Sequence, residues 1–166
     1  MALSKFVRSV NGRSMPDISF DPDNIALPRL IPYLHYYSTI LTGSAPIEYT
    51  IDTLQMLNTF AYQNPAGNGD SWQVEFICDA GTYTLAIFGV KFSNRGLLDI
   101  YIDDVKKISL QDWYNAARVY NVGLYVPNIV ISAGAHILKG VINGKNVASS
   151  DYYMALTHYW LTRMGA

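Results

Sequence analysis

The chain has 166 residues, 12 Lys and Arg against 13 Asp and Glu, a formal net charge of -1, and 50% hydrophobic residues with only 15% charged. Near-neutrality without a basic cluster excludes a protein built to grip a phosphate backbone, and an apolar half excludes an intrinsically disordered one. Charge this far below the roughly 25% of ordinary soluble domains, together with 13 tyrosines, leads us to expect that partners cover part of the surface.

One domain is expected at this length, with a core large enough to need neither disulfide nor structural metal. Cys78 is the single cysteine, so an intramolecular disulfide and a CxxC zinc spacing are both out of reach. Lys5 and Arg8 fall where a signal peptide would need its apolar core, and the tract from Leu27 to Leu41 is broken by Pro28, Arg29, Pro32 and His35. No export signal and no membrane span are therefore expected.

Residues 1–30 read as an extended N-terminal arm. Asn11-Gly12, Pro16-Asp17, Asp21-Pro22-Asp23-Asn24 and Pro28 punctuate apolar residues that follow no period. Phe6, Val7, Arg8, Met15, Ile18 and Phe20 are its candidate anchoring contacts. Residues 31–166 read as a single antiparallel β-sandwich.

Ile47 to Ile51 and Leu57 to Gln63 are expected strands, followed by the loop Asn64-Pro65-Ala66-Gly67-Asn68-Gly69-Asp70, placed at one end of the sandwich. Trp72 to Asp79 alternates, with Trp72, Val74, Phe76 and Cys78 on one face and Gln73, Glu75 and Asp79 on the other. Ala80-Gly81 turns the chain, Thr82 to Phe92 runs back, and Ser93-Asn94-Arg95-Gly96 is the next turn. In Leu97 to Val105, Leu98, Ile100 and Ile102 oppose Asp99, Tyr101 and Asp103.

Ser109 as an N-cap predicts a short helix over Leu110 to Ala117. Tyr120 to Tyr125 and Asn128 to Ser132 read as separate strands. His136 to Asn143 reads as another, closed by the turn Asn143-Gly144-Lys145-Asn146, and Tyr152 to Arg163 is the last. About eight strands with turns at this spacing make an all-β jelly roll the best single architecture.

Gly81-Thr82-Tyr83-Thr84-Leu85 with Asn94-Arg95-Gly96-Leu97-Leu98-Asp99-Ile100-Tyr101-Ile102-Asp103-Asp104 resembles the strand-turn-strand of jelly-roll domains in bacteriophage fibre and capsid decoration (cement) proteins. Gly134-Ala135-His136-Ile137-Leu138-Lys139, Asn143-Gly144-Lys145-Asn146 and Tyr152-Tyr153-Met154-Ala155-Leu156-Thr157 are similar to the hairpin and last strand of galactose-binding-like, carbohydrate-binding-module-like sandwiches. The resemblance spans residues 70–163. It implies a non-catalytic virion subunit, made in the host cytoplasm, that is homotrimeric and bound to partners such as the major capsid protein. A glycan-binding module or receptor-binding tip is the alternative it implies.

The residues themselves offer no catalytic constellation. His35, His136 and His158 lie in separate predicted strands without metal-ligand spacing, and Cys78 faces inward with Trp72 and Phe76. His136 reads as a hydrogen-bonded core or edge residue. Asp103-Asp104 reads as a turn before Val105, with a Ca²⁺ site including Asp99 as the sharper alternative. No cofactor and no metal are expected.

A sugar site on a sandwich needs exposed rings beside amides and carboxylates. Trp113 and Tyr114 in a predicted connection, then Tyr62 and Asn64 at a loop edge, are the candidate glycan or partner contacts. Trp72 and Trp160 are expected in the core. The consecutive pairs Tyr36-Tyr37 and Tyr152-Tyr153 each turn one ring outward, as a subunit interface would also require.

Overall fold

A computed structural model describes residues 9–10, 13–14, 30–34, 38–43, 47–55, 59–63 and 66–164. The arm contacts Phe6, Val7, Arg8, Met15, Ile18 and Phe20, together with His35, the Tyr36-Tyr37 pair and Asn64, lie outside the described residues.

Trp72, Val74, Phe76 and Cys78 are buried, whereas the residues between them are half-buried or exposed, which is the alternation of a strand with one face in a core. This segment is one of thirteen strands among the described residues: β1 (Ser9–Val10), β2 (Arg13–Ser14), β3 (Leu30–Leu34), β4 (Thr39–Thr42), β5 (Ile47–Ile51), β6 (Thr59–Gln63), β7 (Ser71–Cys78), β8 (Gly81–Lys91), β9 (Gly96–Ile102), β10 (Val105–Asp112), β11 (Val119–Ile131), β12 (Gly134–Lys145) and β13 (Met154–Arg163). One sheet runs β10-β9-β12-β7-β4 and the other β11-β8-β13-β6-β5. β3 also pairs with β13, beyond the stretch that β6 occupies. All strand pairs are antiparallel, so the expected all-β jelly roll is the fold of the protein.

The core lies between the sheets. Trp72, Leu98, Ile100 and Ile142 come from one sheet and Tyr83, Leu85, Ile87 and Leu156 from the other, each 1% exposed or less. The Trp72 indole donates to the Tyr159 hydroxyl at 2.8 Å and so ties sheet to sheet. Gly140 stands opposite Trp72 in register, and a Cβ there would sit 2.5 Å from the indole. The missing side chain is what lets the ring lie flat on β12.

Three sequence expectations are corrected. The helix over Leu110 to Ala117 does not form: residues through Asp112 continue β10, and 113–118 are irregular. Leu110 has φ 51°, a left-handed conformation no α-helix admits, and its N–H is held by Asp99 Oδ1 at 2.7 Å. Tyr120 to Tyr125 and Asn128 to Ser132 belong to one strand, β11. Asn121 and Asn128 take positive φ at its two register shifts, and its edge position tolerates Pro127. Asn143-Gly144-Lys145 does not turn either. Lys145 still pairs with Gly96, Asn143 Nδ2 is held by Asp99 at 2.9 Å, and the chain reverses after Asn146.

Candidate functional site

The two ends of the sandwich differ. At one end the β7–β8, β9–β10 and β11–β12 connections are tight turns of two residues each. Asp103 and Asp104 have φ 49° and 62°, the pair of left-handed residues a type I′ hairpin turn requires. Their carboxylates serve the protein: Asp103 accepts from the Ile137 N–H at 3.0 Å and faces His136 Nδ1 at 2.6 Å, while Asp104 pairs with Lys139. His136 Nε2 donates to the Ser132 carbonyl at 3.0 Å, so the ring pins two turns together. The turn reading of Asp103-Asp104 and the structural reading of His136 therefore describe this end. Burial pushes the Asp103 carboxyl up, but hydrogen bonds from His136 and Ile137 outweigh it and hold it below its ordinary range. Cys78 is buried, and that burial raises its thiol. Among the described residues no three His, Cys, Asp or Glu side chains group as metal ligands.

The opposite end carries the longer connections, residues 66–70 of the β6–β7 loop, 92–95, 113–118 and 146–153. Backbone hydrogen bonds stitch them into one surface: Phe92 N to Trp113 O, Asn115 N to Phe92 O, Ser150 N to Ser93 O and Gly96 N to Tyr153 O. The 66–70 loop joins through Gly144 N to Asn68 Oδ1 at 2.6 Å. The half-buried rings of Phe92, Tyr114, Tyr152 and Tyr153 gather here. Basic side chains stand over three of them: Arg118 4.6 Å from the Phe92 centroid, Arg95 4.2 Å from Tyr153 and Lys145 Nζ 5.0 Å from Tyr152.

Arg95 is 2% exposed. Its Nε donates to the Val90 carbonyl at 3.1 Å and Nη1 to the Asn94 side chain. Burial brings the guanidinium down to about 10, with the like charge of Arg118 acting in the same direction and Tyr153 opposing. The nearby carboxylates are otherwise engaged. Asp112 accepts from Tyr114 N at 2.7 Å and from Asn146 Nδ2 at 2.6 Å, and Asp151 accepts from Tyr152 N at 2.7 Å.

Of the residues singled out from sequence, Tyr114 belongs to this surface. Trp113 does not: it is 1% exposed and packs into the core, with its ring 3.1 Å from where a Gly89 Cβ would be. Its neighbour on the chain takes the surface and Trp113 closes the end of the core, so no indole face is presented to a ligand. Tyr62 is the penultimate residue of β6, beside the β6–β7 loop, with its backbone opposite Glu48 and Ala155. Phe92, Arg95 and Arg118 were not candidates from sequence, and Tyr153 was noted only as half of the outward-turning Tyr152-Tyr153 pair. The available signal was an arginine inside the turn cluster Ser93-Asn94-Arg95-Gly96, where a charge is ordinarily solvated.

No protein-family model matches the chain, and no curated protein matches it in sequence. Solved structures do. A Paenibacillus xanthan lyase is similar over 95% of this chain with a TM-score of 0.71 and 19% identity, and the chain spans 14% of that protein's length. The CBM36-1 domain of a multidomain xylanase from the hindgut metagenome of Trinervitermes trinervoides is similar over 83% of this chain and all of its own, with a TM-score of 0.60 and 12% identity. A family 35 carbohydrate-binding module from Clostridium thermocellum is similar over 80% of this chain and 98% of its own, with a TM-score of 0.52 and 16% identity. The class these likenesses define is one of fold: a jelly-roll β-sandwich of the kind found in carbohydrate-binding modules.

Proposed function

We propose that the protein is a non-catalytic glycan-binding module that holds its ligand at the long-loop end of the sandwich. The observation that carries this reading is the gathering of the Phe92, Tyr114, Tyr152 and Tyr153 rings with Asn94, Asn115 and three basic side chains on connections tied to one another by backbone hydrogen bonds. Rings pack on the apolar faces of pyranoses, and amides and cations read the hydroxyls and charged substituents, the combination of apolar lining and few placed polar groups expected of a ligand site. Loops cross-braced on a rigid sandwich hold such groups in place before the ligand arrives, which limits the ordering cost of binding. The xylanase domain and the family 35 module are carbohydrate-binding modules by their own descriptions, which supports the reading.

The capsid-decorating role implied by the sequence resemblance has no counterpart in the neighbours named above. A receptor-binding tip on a virion would use the same surface and the same chemistry. A glycan array probed with the purified protein, alongside Tyr114→Ala, tests the reading. Binding to a defined set of glycans, weakened about tenfold or more in the variant, is the expected result. Absence of binding to any glycan, or binding indifferent to every substitution at this end, overturns it.

A further inference from the structure

Phe88, His158 and Trp160 alternate along β8 and β13 with Ile87, Tyr159 and Leu161 of the core, so their side chains point to the outer face of that sheet. Water ordinarily reaches such a face, yet Phe88 is 5% exposed and His158 1%. The β5–β6 hairpin supplies the cover. It follows β13 only as far as Leu156 opposite Ala61, because from His158 to Thr162 that edge of β13 is paired with β3. The far end of the hairpin is therefore displaced from the sheet. Its turn, residues 52–55, carries Leu54, whose carbonyl accepts from Asn121 Nδ2 at 3.0 Å. Asn121 stands on β11, beyond both β13 and β8 in the sheet order. A turn that reaches β11 from β5 must cross a face of the sheet. Core side chains such as Leu85, Ile87 and Leu156 fill the inner face, so the turn crosses the outer one, over Phe88 and His158.

The His158 ring lies 4.5 Å from that of Phe88 and 5.0 Å from that of Trp160, and neither of its nitrogens has a hydrogen-bond partner among the described residues. Gln55, in the turn itself, is 3% exposed with both atoms of its side-chain amide equally unpartnered. A neutral imidazole tolerates this enclosure. An imidazolium does not, because it brings two N–H donors and a charge to a place without an acceptor. The surrounding elements supply no compensating charge. The turn contributes Asp52, whose carboxylate accepts from the Leu54 N–H at 3.0 Å. Glu48 of β5 stands opposite Tyr62, at the other end of the hairpin from the turn. β3, β6 and β11 add only the phenols of Tyr33, Tyr62, Tyr120 and Tyr125, and the charged residues of β8 and β13 are the strand-end cations Lys91 and Arg163. We infer that the 52–55 turn is an acid-released strap: it lies closed over the His158–Phe88 stack while the imidazole is neutral, and lifts when the imidazole takes a proton. Lifted, it uncovers a continuous ring face of Phe88, His158, Trp160 and Tyr125, the last already 61% exposed at its edge. Burial alone brings the imidazole down from 6.5 to about 4, in keeping with a ring that has no charged neighbour. The strap lies on a sheet face, apart from the long-loop end, and stands whether or not that end binds a glycan.

The test is amide hydrogen exchange on the full chain at pH 7, 6 and 5, followed in ¹H–¹⁵N spectra and corrected for the intrinsic rate at each pH. The reporter is Gln55, whose N–H is closed on the Asp52 carbonyl at 3.0 Å. With the imidazole at 6.5 when open and about 4 when closed, opening is about twentyfold more favourable at pH 5 than at pH 7. The expected result is a loss of Gln55 protection of that size, insensitive to dilute urea because a local opening exposes little surface. His158→Phe, which keeps the ring stack, should abolish the pH dependence. Asn121→Gly accepts the positive φ of that position and removes the bond to Leu54, so it should lower Gln55 protection at every pH and leave the pH dependence in place. Protection at Gln55 that does not change with pH, or that falls equally in His158→Phe, overturns the strap. A loss at Gln55 that steepens with urea in step with core amides such as Ile87 also overturns it, since His158 would then act on the whole fold and not on the turn above it.

Discussion

His158 is 1% exposed, its ring lies 4.5 Å from that of Phe88 at an 11° angle, and neither ring nitrogen has a hydrogen-bond partner among the described residues. Burial lowers its pKa from 6.5 to about 4. Between those values the unfolded chain binds a proton that the folded chain refuses, so stability rises with pH across the window and is lost as pH falls from about 6.5 towards 4. The loss is on the order of 3 kcal/mol. The depressed carboxyls of Asp99 and Asp103 act lower, their contribution fading as pH falls below the ordinary 3.8. Chemical denaturation of wild type and His158→Phe between pH 7 and pH 4 should show the acid loss strongly reduced in the variant, which keeps the stack on Phe88. An unchanged slope would mean that His158 is not the group responsible. At this scale Trp113 shows what the sequence conceals. Its place in a connection predicts exposure, but Gly89 leaves a hollow that the indole fills, and a hollow made by an absent side chain in another strand has no local signature.

At the scale of elements, β10 is held to β9 by a carboxylate on the outer face of the sheet. Asp99 is 1% exposed and accepts from Leu110 N at 2.7 Å, Lys106 Nζ at 2.6 Å and Asn143 Nδ2 at 2.9 Å. Burial pushes the carboxyl up, and these donors outweigh it and hold it below its usual range. The same contacts explain why the Leu110 segment is a bulged strand and not a helix: the local cap at Ser109 competes with a partner eleven residues upstream, and the long-range acceptor wins. Asp99→Asn should destabilise the protein by about 1–3 kcal/mol and speed hydrogen exchange at the Leu110 amide, because one acceptor oxygen and the charge are lost while four donors, the Tyr101 hydroxyl included, remain. Unchanged melting with an equally protected Leu110 amide would contradict the role given to Asp99. The regular strands were legible because their period-2 burial is local, as in Trp72, Val74, Phe76 and Cys78. Bulges and left-handed asparagines such as Asn121 and Asn128 joined what a local reading divides.

For the whole molecule, the decisive feature is the asymmetry between an end of tight turns and an end of braced loops. The fold was readable because regular strands such as β7 and β9 announce their own buried faces. The candidate site was not, because Phe92, Arg95, Tyr114, Arg118 and Tyr153 come from three connections that topology brings together, and the local cues at Tyr114 and at the Tyr152-Tyr153 pair did not join them. The apolar, charge-poor composition finds its use in the core between the sheets, and four half-buried rings, Phe92, Tyr114, Tyr152 and Tyr153, stand on the connections of one end. The most direct test of this account is a ¹H–¹⁵N correlation spectrum of the protein titrated with oligosaccharides selected on the glycan array. Saturable shifts confined to residues 92–95, 113–118 and 146–153, with the turns at 79–80, 103–104 and 132–133 unmoved, are the predicted result. Shifts centred on those tight turns, or no shifts at any saccharide concentration, would contradict it.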